Sequence, residues 1–506
     1  MPGTMQQMSI DPQSIEKYTK EQANMVLQRE CEQKKQGCGG CPYLDFPYEE
    51  QLKKKQKYVK KLLGNFGKVQ PIIGMEDPWH YRNKAISTFS AKKELTGKRL
   101  VSGIYKEGTH TVIPVDTCLL HQERLDEAID AVRRAAAFCK YKPYDEDRHT
   151  GLIRHVLVRH SRLTDEVLAV LVTASRELPG SRSFVKKVRE LCPQVTTIVQ
   201  NINPRSTSAV LGFSEKVLCG KGYIVDQLCG ITFRIAASSF YQVNPVQTEI
   251  LYQTAMEAAG LDGSQTVLDA YCGVGTIGLA AASRAKSVLG IGRNGSAIKC
   301  AIQNAKDNGI TNAKFVNADA TLAIQKMAAR GERVDVVFMD PPRAGSTPEF
   351  LEAVSRMQPE KLVYVSCNPE TQQRDLKVLK EKGWQVKKIQ PVDMFPHTGR
   401  VETVCLLSKL NVDHHIEVEI KMDELDLTAA EKKATYEEIR EYVLEHTGLK
   451  VSNLYIAQVK QKCGIIEREN YNKPKSENSK QPKCPPEKEA AIMEALKHFQ
   501  MMQPLH

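Results

Sequence analysis

The sequence lacks the long apolar runs of a membrane protein. None of its apolar stretches approaches the roughly 20 residues that a helix needs to cross a bilayer. Residues 1–13 also lack the apolar core of a signal peptide. With 506 residues and 41% hydrophobic content, the chain is long enough for about three domains with ample cores. We therefore expect a monomeric cytoplasmic protein that does not bind membranes.

Acidic residues are in the minority. The 71 lysines and arginines exceed the 60 aspartates and glutamates, which gives a formal net charge of +11. Basic residues cluster, for example at positions 53–55, 60–61 and 92–93. Such clusters suit a polyanionic partner, so the charge favours nucleic acid, although many basic proteins bind none.

The 14 cysteines are expected to include metal ligands or catalytic groups, with the rest packed in the core. Three of them, Cys31, Cys38 and Cys41, follow a C-x6-C-x2-C spacing with glycines between them, which let the backbone turn tightly around a bound group. Zinc usually takes four ligands, and an iron–sulfur cluster held by cysteines also needs four. Cys118 is the candidate for the fourth ligand. The residues alone indicate a ligand set and leave the metal open.

Residues 42–235 are predicted to form an α/β domain that carries the cysteine site on its edge. Within it, residues 79–84 interleave aromatic and basic side chains, which suits stacking on unpaired bases with cations on phosphates. A solvated loop beside a sheet explains the same pattern. The patterns predict helices at 48–63, 120–140 and 182–191, and strands within 69–115, 151–174 and 195–235.

A glycine-rich turn opens a second sheet. The predicted strand 266–269 runs into residues 273–278, whose G-x-G-x-x-G spacing is typical of a nucleotide-binding turn before a helix. That fingerprint calls for an acidic residue about 20 residues later to hold ribose hydroxyls. The next strand, 287–291, is followed instead by Gly292, and Asn294 is the alternative ribose ligand.

Two of the following strands end in reactive side chains. One ends in Asp340-Pro-Pro-Arg343, which is either a plain strand-terminating turn or part of a site. Another ends at Cys367, where Asn-Pro stops the strand at the edge at which open α/β sheets bind ligands. Cys367 is therefore a candidate nucleophile, although a free cysteine is also commonly a small buried packing residue. The later strands are predicted at 314–316, 334–339, 362–367, 385–392 and 401–407, with the last two antiparallel.

The strand count and the final hairpin suit an S-adenosylmethionine-dependent methyltransferase better than a dehydrogenase. Together with five segments, they make the chain resemble the RNA uracil-5-methyltransferase family of the RumA/TrmA type, which makes 5-methyluridine. The resemblance covers about residues 31–410. The cysteine pattern resembles the 23S ribosomal RNA branch, whose members carry a [4Fe–4S] cluster, and this implies Cys31, Cys38, Cys41 and Cys118 as its ligands. The five segments are Phe240-Tyr-Gln-Val-Asn244, residues 269–275, residues 340–343, Ser366-Cys-Asn-Pro369 and Val401-Glu402.

The resemblance implies a covalent mechanism on a flipped uridine. Cys367 would add to C6 of uracil, which activates C5 for methyl transfer, and Glu402 would then remove the C5 proton. Asp340 would hold the uracil edge or the methionine portion of the cofactor. Phe240 would pack beside the flipped base, and Arg343 would contact RNA.

The resemblance also implies a cofactor site. Its residues would be Gln242, Asp269, Tyr271, Gly273, Gly275, Thr276, Gly292, Asp319 and Asp340.

Three departures from the family pattern leave alternatives open. Gly292 stands where the family has a glutamate for the ribose, and Arg400 stands where many members have a histidine near Glu402. The first two cysteines are one residue farther apart than in some members. The alternatives are a transfer RNA substrate and a cluster-bearing RNA-binding protein with weakened methyl transfer. A DNA cytosine methyltransferase fits worse, because its cysteine usually follows proline.

The expected fold is α/β: a Rossmann-like methyltransferase domain with an N-terminal iron–sulfur α/β domain and a small, mostly helical C-terminal extension. The 30 residues before Cys31 leave no room for the RNA-binding β-barrel that is usual in the family. The extension, with helices beginning near 435 and 451 and a last one ending at Phe499, is either a helix-turn-helix that grips RNA or a small packing module. The predicted domains are 1–41 (arm and first cysteines), 42–235 (central), 236–410 (catalytic) and 411–506 (extension).

Overall fold

The chain divides into two compact units, residues 1–420 and residues 421–506. Within the described residues, no helix is both long enough and apolar enough to span a membrane. The computed structural model describes residues 29–94, 97–206, 209–409, 436–463 and 484–499.

The first sheet of the larger unit has seven strands in the order β3-β2-β1-β4-β5-β6-β7, and only β5 and β6 are parallel neighbours. All seven residues of β5 are buried. Two helices, residues 123–138 and 181–191, cover one face of the sheet, and a hairpin at residues 223–236 covers the other. The elements are β1 (Lys84–Glu94), β2 (Gly97–Tyr105), β3 (Val112–Pro114), α3 (Glu123–Phe138), β4 (Ile153–His160), β5 (Val167–Thr173), α4 (Ser181–Leu191), β6 (Val195–Ile202) and β7 (Ser214–Cys219).

Two helices precede this sheet, α1 (Glu32–Lys35) and α2 (Tyr48–Leu63). The bounds of α2 are those predicted from its spacing. Its buried face consists of residues four apart, so it forms one stripe along the helix. Two of these buried residues are polar, which is unusual for a core-facing stripe. The stripe comprises Gln51, Lys55, Val59 and Leu63.

A two-stranded hairpin, β8 (Tyr223–Leu228) and β9 (Ile231–Ala236), joins the two sheets. Its second strand is fixed to helix α7 (Gly295–Asp307) by two amides: Asn308 Oδ1 accepts from Thr232 N at 2.9 Å, and Asn304 Oδ1 accepts from Arg234 N at 2.9 Å. The first strand of the hairpin is also bonded to the first sheet's side, where Ser161 Oγ donates to Val225 O at 2.7 Å. The hairpin therefore contacts both layers, and the boundary between residues 235 and 236 stays a prediction.

The second sheet has the order β12-β11-β10-β13-β14-β16-β15. The first five strands of that order are parallel, and β16 runs antiparallel to both β14 and β15. This is a Rossmann-like sheet with an antiparallel end, as predicted. Its elements are α5 (Pro245–Ala259), β10 (Thr266–Asp269), α6 (Thr276–Ala282), β11 (Ser287–Gly292), α7, β12 (Ala313–Asn317), α8 (Ala320–Ala329), β13 (Val336–Met339), α9 (Pro348–Met357), β14 (Lys361–Ser366), α10 (Pro369–Glu381), β15 (Trp384–Val392) and β16 (Glu402–Lys409).

The smaller unit contains three described helices, α11 (Tyr436–Thr447), α12 (Asn453–Lys462) and α13 (Pro486–His498), around a small apolar core. Ser452 caps α12 by accepting from Tyr455 N at 3.4 Å. The described residues of this unit carry seven acidic and six basic side chains. The helix-turn-helix that grips RNA and the small packing module both stay predictions.

Candidate active site

Four reactive side chains meet at one edge of the second sheet. Asp269 ends β10, Asp340 follows β13, Cys367 follows β14, and Glu402 begins β16. The strands β10, β13, β14 and β16 are consecutive neighbours. Because β16 is antiparallel to β14, its first residue lies at the edge where the parallel strands end. The structure thus brings together the three residues predicted to carry the chemistry.

The carboxyl groups at this edge hold their protons more tightly than usual. Burial, together with the charge of Asp269, raises the pKa of Asp340 to about 7, and burial alone raises that of Asp269 to the same value. Burial and the charge of Asp340 raise the pKa of Glu402 to about 8, although Arg343 opposes the change. Near neutral pH, each carboxyl can therefore exchange a proton.

Neighbouring carboxyls and a neighbouring cation act in opposite directions on the pKa of Cys367. Burial, followed by the charges of Glu402 and Asp340, raises the pKa of the thiol to about 11. The positive charge and a hydrogen bond of Arg343 act in the opposite direction. Arg343 was predicted to contact RNA, and that role stays a prediction. The structure places it beside the thiol, where a guanidinium favours the thiolate.

The turn after Cys367 is fixed by local hydrogen bonds. Ser366 Oγ donates to Asn368 O and accepts from Asn368 N, both at 3.1 Å. Asn368 caps α10 by accepting from Glu370 N at 3.1 Å, and Pro369 occupies the first turn of the helix. Cys367 therefore lies beside a helix N-terminus, whose dipole also favours a thiolate.

The glycine turn after β10 has the geometry expected for a cofactor. Gly273 and Gly275 have φ values of +56° and +86°, which favour glycine, and no atom lies within 4 Å of where a Cβ on Gly273 would be. Asp269 Oδ2 accepts from Gly278 N at 2.9 Å, which ties the strand end to α6. Thr276 Oγ1 is hydrogen-bonded to Tyr252 Oη at 2.9 Å, so part of its bonding capacity is used within the protein.

Two further predicted cofactor residues follow β10 and β12, which flank β11 in the sheet. Tyr271 Oη is hydrogen-bonded to Ser346 Oγ at 2.9 Å, and its ring packs on Phe350. Asp319 caps α8 by accepting from Leu322 N at 3.2 Å, and its charge contributes to raising the pKa of Tyr271. The open glycine turn flanked by these groups fits a nucleoside-bearing cofactor.

At Gly292 the family's ribose carboxylate has no direct substitute. A Cβ on Gly292 would come 3.0 Å from Ile298 Cδ1 and 3.2 Å from Cys272 Sγ, so the space beside it is already filled. Asn294 Oδ1 accepts from Ser296 N and Ala297 N to cap α7, which leaves only its amide donors for a ribose. Asn317 lies opposite Gly292 on the neighbouring strand β12, and the sequence analysis did not identify it as part of the site. Its amide, in the orientation that satisfies its hydrogen bonds, donates to the carbonyls of residues 292 and 293.

The segment that bears Phe240 and Gln242 is held by the first sheet. Arg159 donates to the carbonyls of Ala237 and Ser239, and Asn83 Nδ2 donates to Gln242 O at 3.1 Å. Phe240 itself is 65% exposed, so its ring is free to meet a base. Sequence reasoning missed the holding role of both residues, because nothing in their local patterns relates them to partners that lie 78 to 159 positions later in the chain.

The aromatic part of the interleaved segment 79–84 does not face RNA. Trp79 and Tyr81 are buried, with 4% and 3% exposure, so the prediction that they stack on bases is wrong. They pack in an apolar cluster with Leu44, Met75 and Leu120. Three of the candidate metal ligands also pack against this cluster: Cys31, Cys41 and Cys118.

The four predicted cysteine ligands lie near one another and are all free thiols. Burial, followed by the charges of Cys118, Cys38 and Cys31, raises the pKa of Cys41 to about 12. Gly40 N donates to Cys38 Sγ at 3.4 Å. Among the residues that the structure describes, no three His, Cys, Asp or Glu side chains are arranged to hold a single metal ion. The predicted iron–sulfur cluster is therefore not shown.

Comparison with known proteins gives consistent matches. A family model described as tRNA (uracil-5-)-methyltransferase matches residues 47–410. An uncharacterized RNA methyltransferase of Halalkalibacterium halodurans is 43% identical over 382 residues, which is 74% of this chain and 82% of that protein. An uncharacterized RNA methyltransferase of Listeria innocua is 41% identical over 375 residues, covering 73% of this chain and 82% of that protein.

A solved structure with similar sequence also matches. The tRNA (uracil-54, C5)-methyltransferase of Pyrococcus abyssi, in complex with S-adenosyl-L-homocysteine, is similar with a TM-score of 0.61 and 27% identity. The similarity covers 73% of this chain and 86% of that one.

Replacing Glu402 with glutamine should stabilise the folded protein at alkaline pH. Burial raises the pKa of Glu402 from 4.5 to about 8, so the folded state keeps a proton that the unfolded chain releases. The free energy of unfolding of the native protein therefore falls as pH rises through this range. We expect the advantage of Glu402→Gln to widen by about 1–3 kcal/mol between about pH 5 and pH 9 in urea unfolding. The exposed substitution Glu257→Gln is the control, and an equal widening there would contradict the argument.

Proposed function

Because the chain belongs to the tRNA (uracil-5-)-methyltransferase family, an S-adenosylmethionine-dependent family of RNA methyltransferases, we propose that it methylates C5 of a uridine in 23S ribosomal RNA. The observation that carries the chemistry is the convergence of Cys367, Asp340 and Glu402 at one sheet edge. The four-cysteine set supports the ribosomal substrate through its resemblance to that branch of the family.

Cys367 is the nucleophile. Its thiolate adds to C6 of the uracil ring, which places electron density on C5, a carbon that is otherwise a poor nucleophile. Arg343 assists by stabilising the thiolate against the neighbouring carboxyls. When bound, the cofactor supplies an electrophilic methyl group on a sulfonium, and C5 takes that methyl group.

Glu402 is the base that completes the reaction. It removes the proton from C5, the electrons of the C–H bond form the C5=C6 double bond, and the bond between C6 and Cys367 Sγ breaks. The pKa of Glu402 near 8 makes it a far stronger base than a solvated carboxylate. Asp340, with a pKa near 7, can accept a hydrogen bond from N3–H of uracil or donate one to a uracil carbonyl.

Attack on C6 requires a uracil that has been flipped out of the RNA stack, because C5 and C6 are approached from the face of the ring. Phe240 is the exposed aromatic that stands on the segment beside Gln242. We assign it to pack against the flipped uracil. Its support from Arg159 and Asn83 keeps that segment in place without help from RNA.

The cysteine set fits an iron–sulfur cluster as the resident group. The four thiols are close enough for their charges to act on one another. Glycines turn the chain beside them, and the N–H of Gly40 donates to Cys38 Sγ. These features make a suitable donor set for a cluster. Cys31, Cys38, Cys41 and Cys118 would hold it, and the cluster would supply rigidity to the segment. Three of these residues lie outside the stretch that the family model matches.

Transfer RNA is the second candidate substrate. The observation in its favour is the similarity to the Pyrococcus abyssi enzyme, which acts on tRNA. Both substrates use the same chemistry, so the site geometry does not choose between them. A protein that binds RNA but has weakened methyl transfer is the third reading, motivated by Gly292 and the absence of a ribose carboxylate there.

RNA that contains 5-fluorouridine should trap the protein covalently in the presence of S-adenosylmethionine. Fluorine on C5 cannot leave as a proton, so the bond from Cys367 to C6 persists and survives denaturing gel electrophoresis. Cys367→Ala should give no adduct, whereas Cys300→Ala, a cysteine on α7, should give the native amount. A native protein that binds RNA and cofactor but forms no adduct would refute the mechanism.

Deletion of the gene should remove 5-methyluridine from 23S ribosomal RNA and leave that of tRNA unchanged. Mass spectrometry of nucleosides from the separated RNAs measures both. Complementation with the native gene should restore the modification, and complementation with Cys367→Ala should not. Loss from tRNA alone would overturn the ribosomal assignment and support the second candidate.

Anaerobically purified protein should contain about four iron atoms per chain. Cys118→Ser removes one of the four thiols, so iron content should fall to a small fraction of the native value. Cys139→Ser, at a half-buried position at the end of α3, serves as the control and should leave iron unchanged. Stoichiometric zinc in place of iron would keep the ligand set and overturn the cluster.

A further inference from the structure

The loop before Glu402, residues 393–401, is bound to helix α2. This loop joins β15 to β16, and Glu402 is the first residue after it. Lys55 Nζ lies 2.6 Å from Asp393 Oδ1, and both side chains are fully buried. Lys55 Nζ also donates to Phe395 O at 3.0 Å, and Tyr48 Oη donates to Asp393 Oδ2 at 2.9 Å. Three polar contacts of α2 therefore fix the first part of the loop.

Gln51 and His397 fix the middle of the loop by a reciprocal pair of hydrogen bonds. Gln51 Oε1 accepts from His397 N at 2.9 Å, and Gln51 Nε2 donates to His397 Nδ1 at 3.2 Å. Burial and the charge of Lys55 lower the pKa of His397 to about 4, so the ring is neutral and Nδ1 is free to accept. The residue is held at a φ of +65°, a left-handed conformation that costs energy outside glycine.

His397 also contacts the cysteine-bearing part of the chain. Its ring stacks on Trp79 with centroids 4.0 Å apart, and its carbonyl accepts from Tyr43 N at 3.0 Å. Cys41 lies two residues before Tyr43, and it packs in the same apolar cluster as Trp79. The strained loop conformation is thus held from one side by α2 and from the other by the cysteine segment.

We propose that Gln51 and His397 are positioning residues for the catalytic base, holding the loop so that the Glu402 carboxylate meets the C5 proton. Neither residue is assigned a contact with RNA or cofactor. A buried polar pair that holds a left-handed residue adds little net stability but fixes one geometry. The proposal rests on the proposed function, because it needs Glu402 to act as the base.

The order of the reaction makes the effect specific. Glu402 acts after Cys367 has bonded to C6 and C5 has taken the methyl group. If the carboxylate is displaced, the C5–H bond stays intact, so its electrons cannot form the C5=C6 bond that expels Cys367. The negative charge of Glu402 also raises the pKa of Cys367, so moving it away does not hinder the first attack. A displaced base therefore leaves a methylated covalent adduct.

Gln51→Leu tests the proposal, since it removes the hydrogen bonds to His397 while keeping side-chain volume. Gln200→Leu is the matched control: Gln200 is also a buried glutamine with three hydrogen bonds that anchor a loop, to Thr173, Ser175 and Arg176. Each variant is incubated, as the full-length protein, with unmodified in vitro transcribed 23S ribosomal RNA, bulk tRNA and S-adenosylmethionine. Denaturing gels measure the adduct, and multiple turnovers measure the release of product.

For Gln51→Leu we expect adduct at about ten times the native level and turnover reduced about tenfold, with the single-turnover rate of adduct formation within about twofold of native. Gln200→Leu should show no extra adduct and near-native turnover. Equal losses of adduct formation and turnover in Gln51→Leu, or unchanged turnover, would overturn the proposal. If Gln51→Leu does not fold, His397→Asn replaces it, because asparagine tolerates a left-handed φ while losing the ring stacking, and the same outcomes decide.

Glu402→Gln separates this proposal from the proposed function. That variant removes the base itself and should accumulate the adduct on whichever RNA is the substrate. If Glu402→Gln accumulates adduct and Gln51→Leu does not, only the positioning role fails. If Glu402→Gln accumulates none while the native protein methylates RNA, the assignment of the base fails, and the positioning role fails with it.

Discussion

The reversal of one strand determines the active site. In an all-parallel sheet, the edge that receives ligands is formed only by residues that end strands. Because β16 enters antiparallel between β14 and β15, the edge also receives Glu402, a residue that begins a strand. Cys367 and Glu402 come from adjacent strands, so the nucleophile and the base face the same small volume. A covalent mechanism that needs both groups on one pyrimidine depends on this arrangement.

The same proximity creates an electrostatic conflict. Three buried carboxyls and a thiol share the sheet edge, and each negative charge makes the next harder to form. The charge and a hydrogen bond of Arg343 favour the Cys367 thiolate against the neighbouring carboxyls. The raised pKa of Glu402 makes it a stronger base for removing the C5 proton. The same shift lowers the free energy of unfolding as pH rises above the ordinary pKa of a glutamate. Activity and stability are therefore opposed at this residue.

Apolar runs ended by breakers located the strands and the turn at Cys367 correctly, because burial and chain geometry are local properties. The sequence did not reveal the residues that hold the site. Asp393 is more than 300 positions from Lys55, so no local pattern relates them. A signal existed in α2, where Gln51 and Lys55 interrupt the apolar stripe at four-residue spacing. For Trp79 the sequence left base stacking and a solvated loop open, and its burial in the core matches neither, because an aromatic beside basic residues also suits a core.

The cysteine segment packs against the loop that precedes the catalytic base, Glu402. Trp79 lies between them, with the cysteine cluster on one side and the ring of His397 on the other. Tyr43, just after Cys41, adds a backbone hydrogen bond to the same histidine. Interiors are packed closely enough that a shift of one layer moves the next. The packing of the cysteine segment therefore bears on the loop that precedes Glu402.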